Sequence, residues 1–206
     1  MSASSSSAVA SSASIIMSNK VTTLHEKFNA YIHQCYTRKD FPMCLKKIDE
    51  QLRLSNGQSE YPLYIKALIL RHQGRIEESL TSFQAALSLN PTNVNNLKQV
   101  GRSLYLLGKH KSALDVFNEA EKLLSEDRDI WHNKGMCHLY LKQYDMALDC
   151  FELANSIQRN ETTYTQMGRV HRLTGNDDEA LNVYMEALEI CPENPELLTT
   201  VGLLYL

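Results

Sequence analysis

Seven of the eight glycines in this 206-residue chain stand on a fixed grid. Gly101, Gly135, Gly168 and Gly202 are separated by 34, 33 and 34 residues, and Gly74 and Gly108 by 34. Gly175 follows Gly108 by 67 residues, two further steps, and each member of this second series falls seven residues after a position of the first. Thus Ala67 precedes Gly74, Gly101 precedes Gly108 and Gly168 precedes Gly175. Only Gly57 lies off the grid, in the turn cluster Ser55-Asn56-Gly57-Gln58. Such a period means one supersecondary unit repeated and stacked, because a unit of about 34 residues cannot bury its apolar face alone.

The grid fixes the register of everything else. Five residues past each second-series slot comes a small residue, then Leu, then an aromatic ring. The segments are Ser79-Leu80-x-x-Phe83, Ala113-Leu114-x-x-Phe117, Ala147-Leu148-x-x-Phe151 and Ala180-Leu181-x-x-Tyr184. Ala86, Ala120, Ala154 or Ala187 follows three residues later, Pro91 and Pro192 close two of the units, and Trp131 stands four before Gly135. This pattern resembles the tetratricopeptide repeat, W-x2-L-G-x2-Y, then A-x3-F, then P. The resemblance implies an all-α superhelical solenoid of antiparallel helix pairs. The physics agrees: small residues let paired helices approach, and the aromatic lies one turn on along the same face. Glycine supplies the turn between the helices, and proline stops the second one.

Five repeats are expected at about 25–59, 60–93, 94–127, 128–160 and 161–194. The first is degenerate, with Lys39 for the turn glycine, Cys44 for the small residue and Ile48 for the aromatic. A worn terminal repeat acts as a cap. From Pro195 to Leu206 the chain spells the first helix of a sixth repeat. Leu198, Val201, Gly202 and Tyr205 would then present an apolar face, so the domain spanning 21–206 reads as truncated. Residues 1–20 form a separate arm. The first nineteen hold nine Ser and four Ala with no charge before Lys20, too little apolar surface to offset ordering entropy, so the arm reads as disordered. It lacks the apolar core of a secretory signal and the arginines of a transit peptide.

Lys and Arg number 21 against 24 Asp and Glu, a net charge of -3, so the chain has no basic excess for nucleic acid. Its longest apolar runs are four residues, far below the roughly 20 of a membrane-spanning helix. Cys35, Cys44, Cys137, Cys150 and Cys191 form no C-x-x-C pair and read as reduced thiols. No phosphate-binding glycine loop, H-E-x-x-H or G-x-S-x-G motif is present. No catalytic, cofactor-binding or metal-ligating residue is therefore assigned. His132 and His138 flank Cys137, but six helical positions turn them about 120° apart. With His171, in the slot equivalent to His138, they read as packed, hydrogen-bonded side chains.

In such a solenoid the first helix of each repeat builds a concave face. The slots projecting there carry Tyr64, Leu68 and Arg71, then Lys98, Arg102 and Tyr105. His132, Met136 and Leu139 follow, then Thr165, Arg169 and Arg172. Basic and aromatic groups together suit an acidic, aromatic-anchored segment of a partner protein. The competing reading is a solvated face whose charges neighbours offset. The slots that clamp a terminal carboxylate in related chaperone receptors hold Asn95, Gln99 and Asp129, and an acidic residue there argues against carboxylate capture.

Longer stretches carry a narrower resemblance. The segments from Asn96 to Lys111, from Leu139 to Tyr144 and from Pro192 to Leu206 include exposed positions that the repeat pattern leaves free. Over these the chain is similar to the Bardet–Biedl syndrome family of tetratricopeptide-repeat subunits of the BBSome, a coat that moves membrane proteins to and from cilia. The similarity runs from about Tyr31 onward and excludes the Ser-rich arm. It implies a non-enzymatic scaffold supporting ciliary trafficking and cilium assembly, without cofactors, whose partners are other BBSome subunits and pericentriolar proteins. It also implies residence in the cytoplasm, the centrosome, the basal body and the cilium, with membrane association only through the complex. Two alternatives stay open: another repeat scaffold, such as a co-chaperone or a cell-division assembly subunit, or the substrate-presenting repeats of a larger enzyme.

Overall fold

A computed structural model describes residues 26–205; the Ser-rich arm lies outside the described residues. Among the described residues there are eleven helices and no strand. The described residues fall into two compact units, divided in the chain between Asn90 and Pro91. The first unit contains α1 (26–37), α2 (Phe41–Leu54), α3 (Glu60–His72) and α4 (Ile76–Leu89). The second contains α5 (Val94–Leu106), α6 (His110–Leu123), α7 (Arg128–Tyr140), α8 (Tyr144–Ile157), α9 (Glu161–Leu173), α10 (Asp177–Ile190) and α11 (Pro195–Leu204).

Each helix pair of the second unit is held by a ring against a residue without a side chain. Phe117, Phe151 and Tyr184 sit on the second helices α6, α8 and α10, and all are buried. A Cβ added at Gly101, Gly135 or Gly168 on the facing first helix would come within 2.7, 2.5 or 2.6 Å of the corresponding ring. That is closer than carbon atoms can approach, so the glycine is what allows the ring to lie across the helix backbone. In the first unit Ala67 and Phe83, both fully buried, occupy the equivalent slots, and the Ser79 hydroxyl donates to the Ala67 carbonyl at 2.8 Å. The degenerate first repeat fills its core with Ile32, Cys44 and Ile48, all fully buried.

The turn slots have a different requirement. After α5 the Lys109 amide donates to the Leu104 carbonyl and Gly108 to Tyr105, both at 2.9 Å, the double bond pattern that needs a left-handed residue between them. Gly108 and Gly175 supply it at φ 73° and 80°. Lys142 adopts the same geometry at φ 59°, as does Lys39. A side chain pays a steric cost there of about 1–2 kcal/mol, partly offset by the greater freedom glycine has in the unfolded chain. Lys142→Gly should therefore stabilise the protein by about 0.5–1 kcal/mol, read as a higher urea midpoint at unchanged slope. A lower midpoint would show that the Lys142 side chain contributes more than its backbone costs.

The first helices start on a second periodic signal. The side chains of Asn93, Asp127, Asn160 and Asn194 accept from backbone amides of the first turn of α5, α7, α9 and α11 at 2.9 to 3.4 Å. They satisfy amides that the helix leaves without partners. The second helices of this unit have no side-chain cap at all.

At the far end Leu197 and Val201 of α11 are buried in the core formed with Tyr184 and Ala187. The expectation of a wholly exposed apolar face is thus corrected at Val201. Leu198, Leu203 and Tyr205 do face solvent, and nothing lies within 4 Å of a Cβ added at Gly202.

Candidate protein-interaction face

The first helices of the second unit bring four of the expected face residues to one place. Lys98, Arg102, Tyr105 and His132 line a cavity of 520 Å³, joined by Asn95, Gln99 and Asp129 of the clamp slots and by Arg128, which the sequence had not pointed to. Arg169 and Arg172 line a neighbouring cavity of 650 Å³ with Thr165 and Tyr184. Tyr64 and Arg71 belong to the first unit, where both lie against the Phe83 ring: Tyr64 edge-on at 5.6 Å, the Arg71 guanidinium over it at 5.3 Å.

The charges on this face are not equivalent. Lys98 is largely covered and holds Asp127 at 2.6 Å, with Asp129 at 3.7 Å. Asp127 is the cap of α7, so this pair joins α5 to the start of the next repeat. Asp129 also receives Arg128 at 2.5 Å. The carboxylates that a ligand would supply are therefore already present, and Lys98 works as a structural cation. Arg102, Arg169 and Arg172 are exposed, and no ion pair within 4 Å engages them among the described residues. Tyr184 lines the same cavity as Arg172, and burial raises its pKa. Tyr105 stacks edge-on with Tyr140 at 5.4 Å and His110 lies over Tyr140 at 5.0 Å; burial and the Tyr140 hydrogen bond raise the Tyr105 pKa.

Similarity to known proteins narrows what this arrangement belongs to. The Tetratricopeptide repeat family matches residues 61–93 and 127–193, and the family Anaphase-promoting complex, cyclosome, subunit 3 matches residues 82–154. The chain is 49% identical over 181 residues to BBSome complex member BBS4 of Bos taurus and of Mus musculus. In each case the match covers 88% of this chain and 35% of the relative, so the chain spans about a third of the length of these relatives. A thermophilic TPR protein of Thermus thermophilus shares the fold at a TM-score of 0.70 with 18% identity, over 88% of this chain and 98% of that one. The chain has the tetratricopeptide-repeat fold. The BBSome resemblance seen in separate segments extends across most of its length.

In this repeat context the histidines are structural. His132 Nδ1 pairs with the Thr163 hydroxyl at 3.0 Å and His138 Nδ1 with Gln143 Oε1 at 2.8 Å. His171 departs from the expectation, since its buried Nδ1 has no hydrogen-bond partner among the described residues. Among the described residues no group of three His, Cys, Asp or Glu side chains is placed to hold a metal ion. Four of the cysteines are buried, and burial pushes the thiols of Cys44 and Cys150 up to about 11 and that of Cys137 up to about 12. Cys44, Cys137 and Cys150 are therefore protonated and inert at neutral pH.

Burial, helped by the Arg128 charge, pulls the His132 pKa down to about 4 from 6.5. The unfolded chain then binds the proton that the folded one refuses, so the contribution is present in full above pH 6.5 and is lost as the pH falls toward 4. The loss amounts to about 2 kcal/mol by pH 5. His132→Gln should flatten the stability profile between pH 7 and pH 5 by about that amount relative to the parent, measured by urea melts. Parallel profiles would mean that His132 is not the group resisting protonation.

Proposed function

We propose that this chain is a non-enzymatic scaffold of the BBSome coat, acting through protein–protein contacts to support ciliary membrane-protein traffic and cilium assembly. The observation that carries the reading is the 49% identity to BBS4 over 88% of the chain. That identity reaches well beyond the small and aromatic residues the repeat itself demands. The partners are other BBSome subunits and pericentriolar proteins, met in the cytoplasm, at the centrosome and basal body and in the cilium. No helix of the described residues is long and apolar enough to cross a membrane; contact with membrane is made through the assembled coat.

The face of α5, α7 and α9 supplies one such contact. Exposed Arg102, Arg169 and Arg172 beside Tyr105 favour an acidic partner segment with an aromatic anchor. A second reading, a scaffold of a cell-division assembly, has the anaphase-promoting-complex match at residues 82–154 in its favour. It explains a shorter stretch of the chain. Tagged protein in ciliated cells separates the two: enrichment at the centriole and basal body, with loss of cilia on depletion, is expected of the coat subunit. Arrest in mitosis with normal cilia would favour the other assembly.

A further inference from the structure

The second helices of the larger unit share a set of outward slots, and α8 fills them differently from its neighbours. The last slot is apolar in all three, with Leu123, Ile157 and Ile190 each about two-fifths to half exposed. The first and third slots hold Ser112 and Glu119 on α6, and Glu179 and Glu186 on α10, as solvent would dictate. On α8 they hold Met146 and Leu153, which are 50% and 44% exposed. With Ile157, and across the buried Cys150 between them, they make an apolar stripe at i, i+4, i+7 and i+11, three turns or about 16 Å long. The adjoining face of α8 buries Ala147, Phe151 and Ala154 together with Cys150, so the core of the repeat is filled without the exposed Met146 and Leu153.

Beside the stripe runs a row of like charge. Asp145, Asp149 and Glu152 are exposed and spaced to repel one another, and among the described residues none has an ion-pair partner within 4 Å. A solvated helix gains nothing from either feature. Together they have the complement of a helix whose apolar seam is bordered by Lys or Arg.

We propose that the outward face of α8 docks a basic amphipathic helix of a partner protein, its apolar seam on Met146, Leu153 and Ile157 and its cations on Asp145, Asp149 and Glu152. This surface is on different helices from the arginine-bearing face and selects the opposite charge, so one repeat unit holds an acidic segment on its first helices and a basic helix on a second.

The test uses the full chain and a fluorescent synthetic helix of about 18 residues, with Leu at the stripe spacing and Lys on both borders. Fluorescence anisotropy should give binding about tenfold or more tighter than for a Glu-bordered version or for the same residues with the seam scrambled. Met146→Glu with Leu153→Glu should abolish it while leaving the helical circular dichroism unchanged, because α10 carries Glu in both slots. Replacing Asp145, Asp149 and Glu152 by Lys should transfer the preference to the Glu-bordered helix. Equal binding of the scrambled helix, or retained binding by the double Glu variant, would overturn the proposal. So would a concentration-dependent dimer that the double Glu variant dissolves, which would assign the stripe to a second copy of this chain.

Discussion

Gly135→Leu should lower the stability of the repeat unit by about 3 kcal/mol or more, the upper range of overpacking, read as a lower urea midpoint. A bare Cβ at this position would already lie 2.5 Å from the Phe151 ring, and that ring is fully buried. The cost should fall when Phe151 is also shortened: Phe151→Leu alone destabilises by leaving a cavity, yet in the double variant the two losses should sum to less than their separate values. Strict additivity would show that the ring and the glycine do not meet. The same test at Gly202 should give almost no loss, because nothing lies within 4 Å of a Cβ there.

Joint replacement of Arg102, Arg169 and Arg172 by Glu should weaken the contact with an acidic partner by about a hundredfold or more. Wrong-sign charges buried at an interface cost several kcal/mol, whereas exposed reversals move stability by only about 0.5 kcal/mol each. Lys98 does not belong in that variant. Its ammonium group neutralises Asp127 at 2.6 Å, with both side chains about 15% exposed, so Lys98→Glu should instead cost about 1–3 kcal/mol of folding stability by leaving a covered carboxylate unpaired. An unchanged partner affinity in the triple Glu variant would remove this face from the function and leave the fold account untouched.

The contrast between Lys98 and Arg102 shows where a sequence stops speaking. Both project from α5 toward the same cavity, and a slot pattern assigns them the same role. Only the fold reveals that Asp127, 29 residues on, already occupies one of them. The glycine grid was legible because two separate demands, a ring against backbone and a left-handed turn, each select one residue type. Lys39 and Lys142 could be placed in the turn slot only by counting from the other repeats, since a lysine can be forced into the left-handed turn at a modest cost. The caps Asn93, Asp127, Asn160 and Asn194 keep nearly the same period, but Asn and Asp interchange there, and an identity-based search passes over them. Val201 misled for another reason. Its side chain packs inward on the preceding pair, and helix periodicity alone does not say which neighbour covers an apolar face. The stripe on α8 required comparison of one repeat with its neighbours, slot by slot; a hydrophobic Met146 or Leu153 taken singly signals nothing.

The assignment to the BBSome is tested most directly by purifying the tagged full-length protein from ciliated cells at near-physiological salt and quantifying what accompanies it. The expected result is the set of other BBSome subunits at near-equal molar amounts, retained through gel filtration. Recovery of the protein free of every BBSome subunit, or with subunits of the anaphase-promoting complex instead, would contradict it.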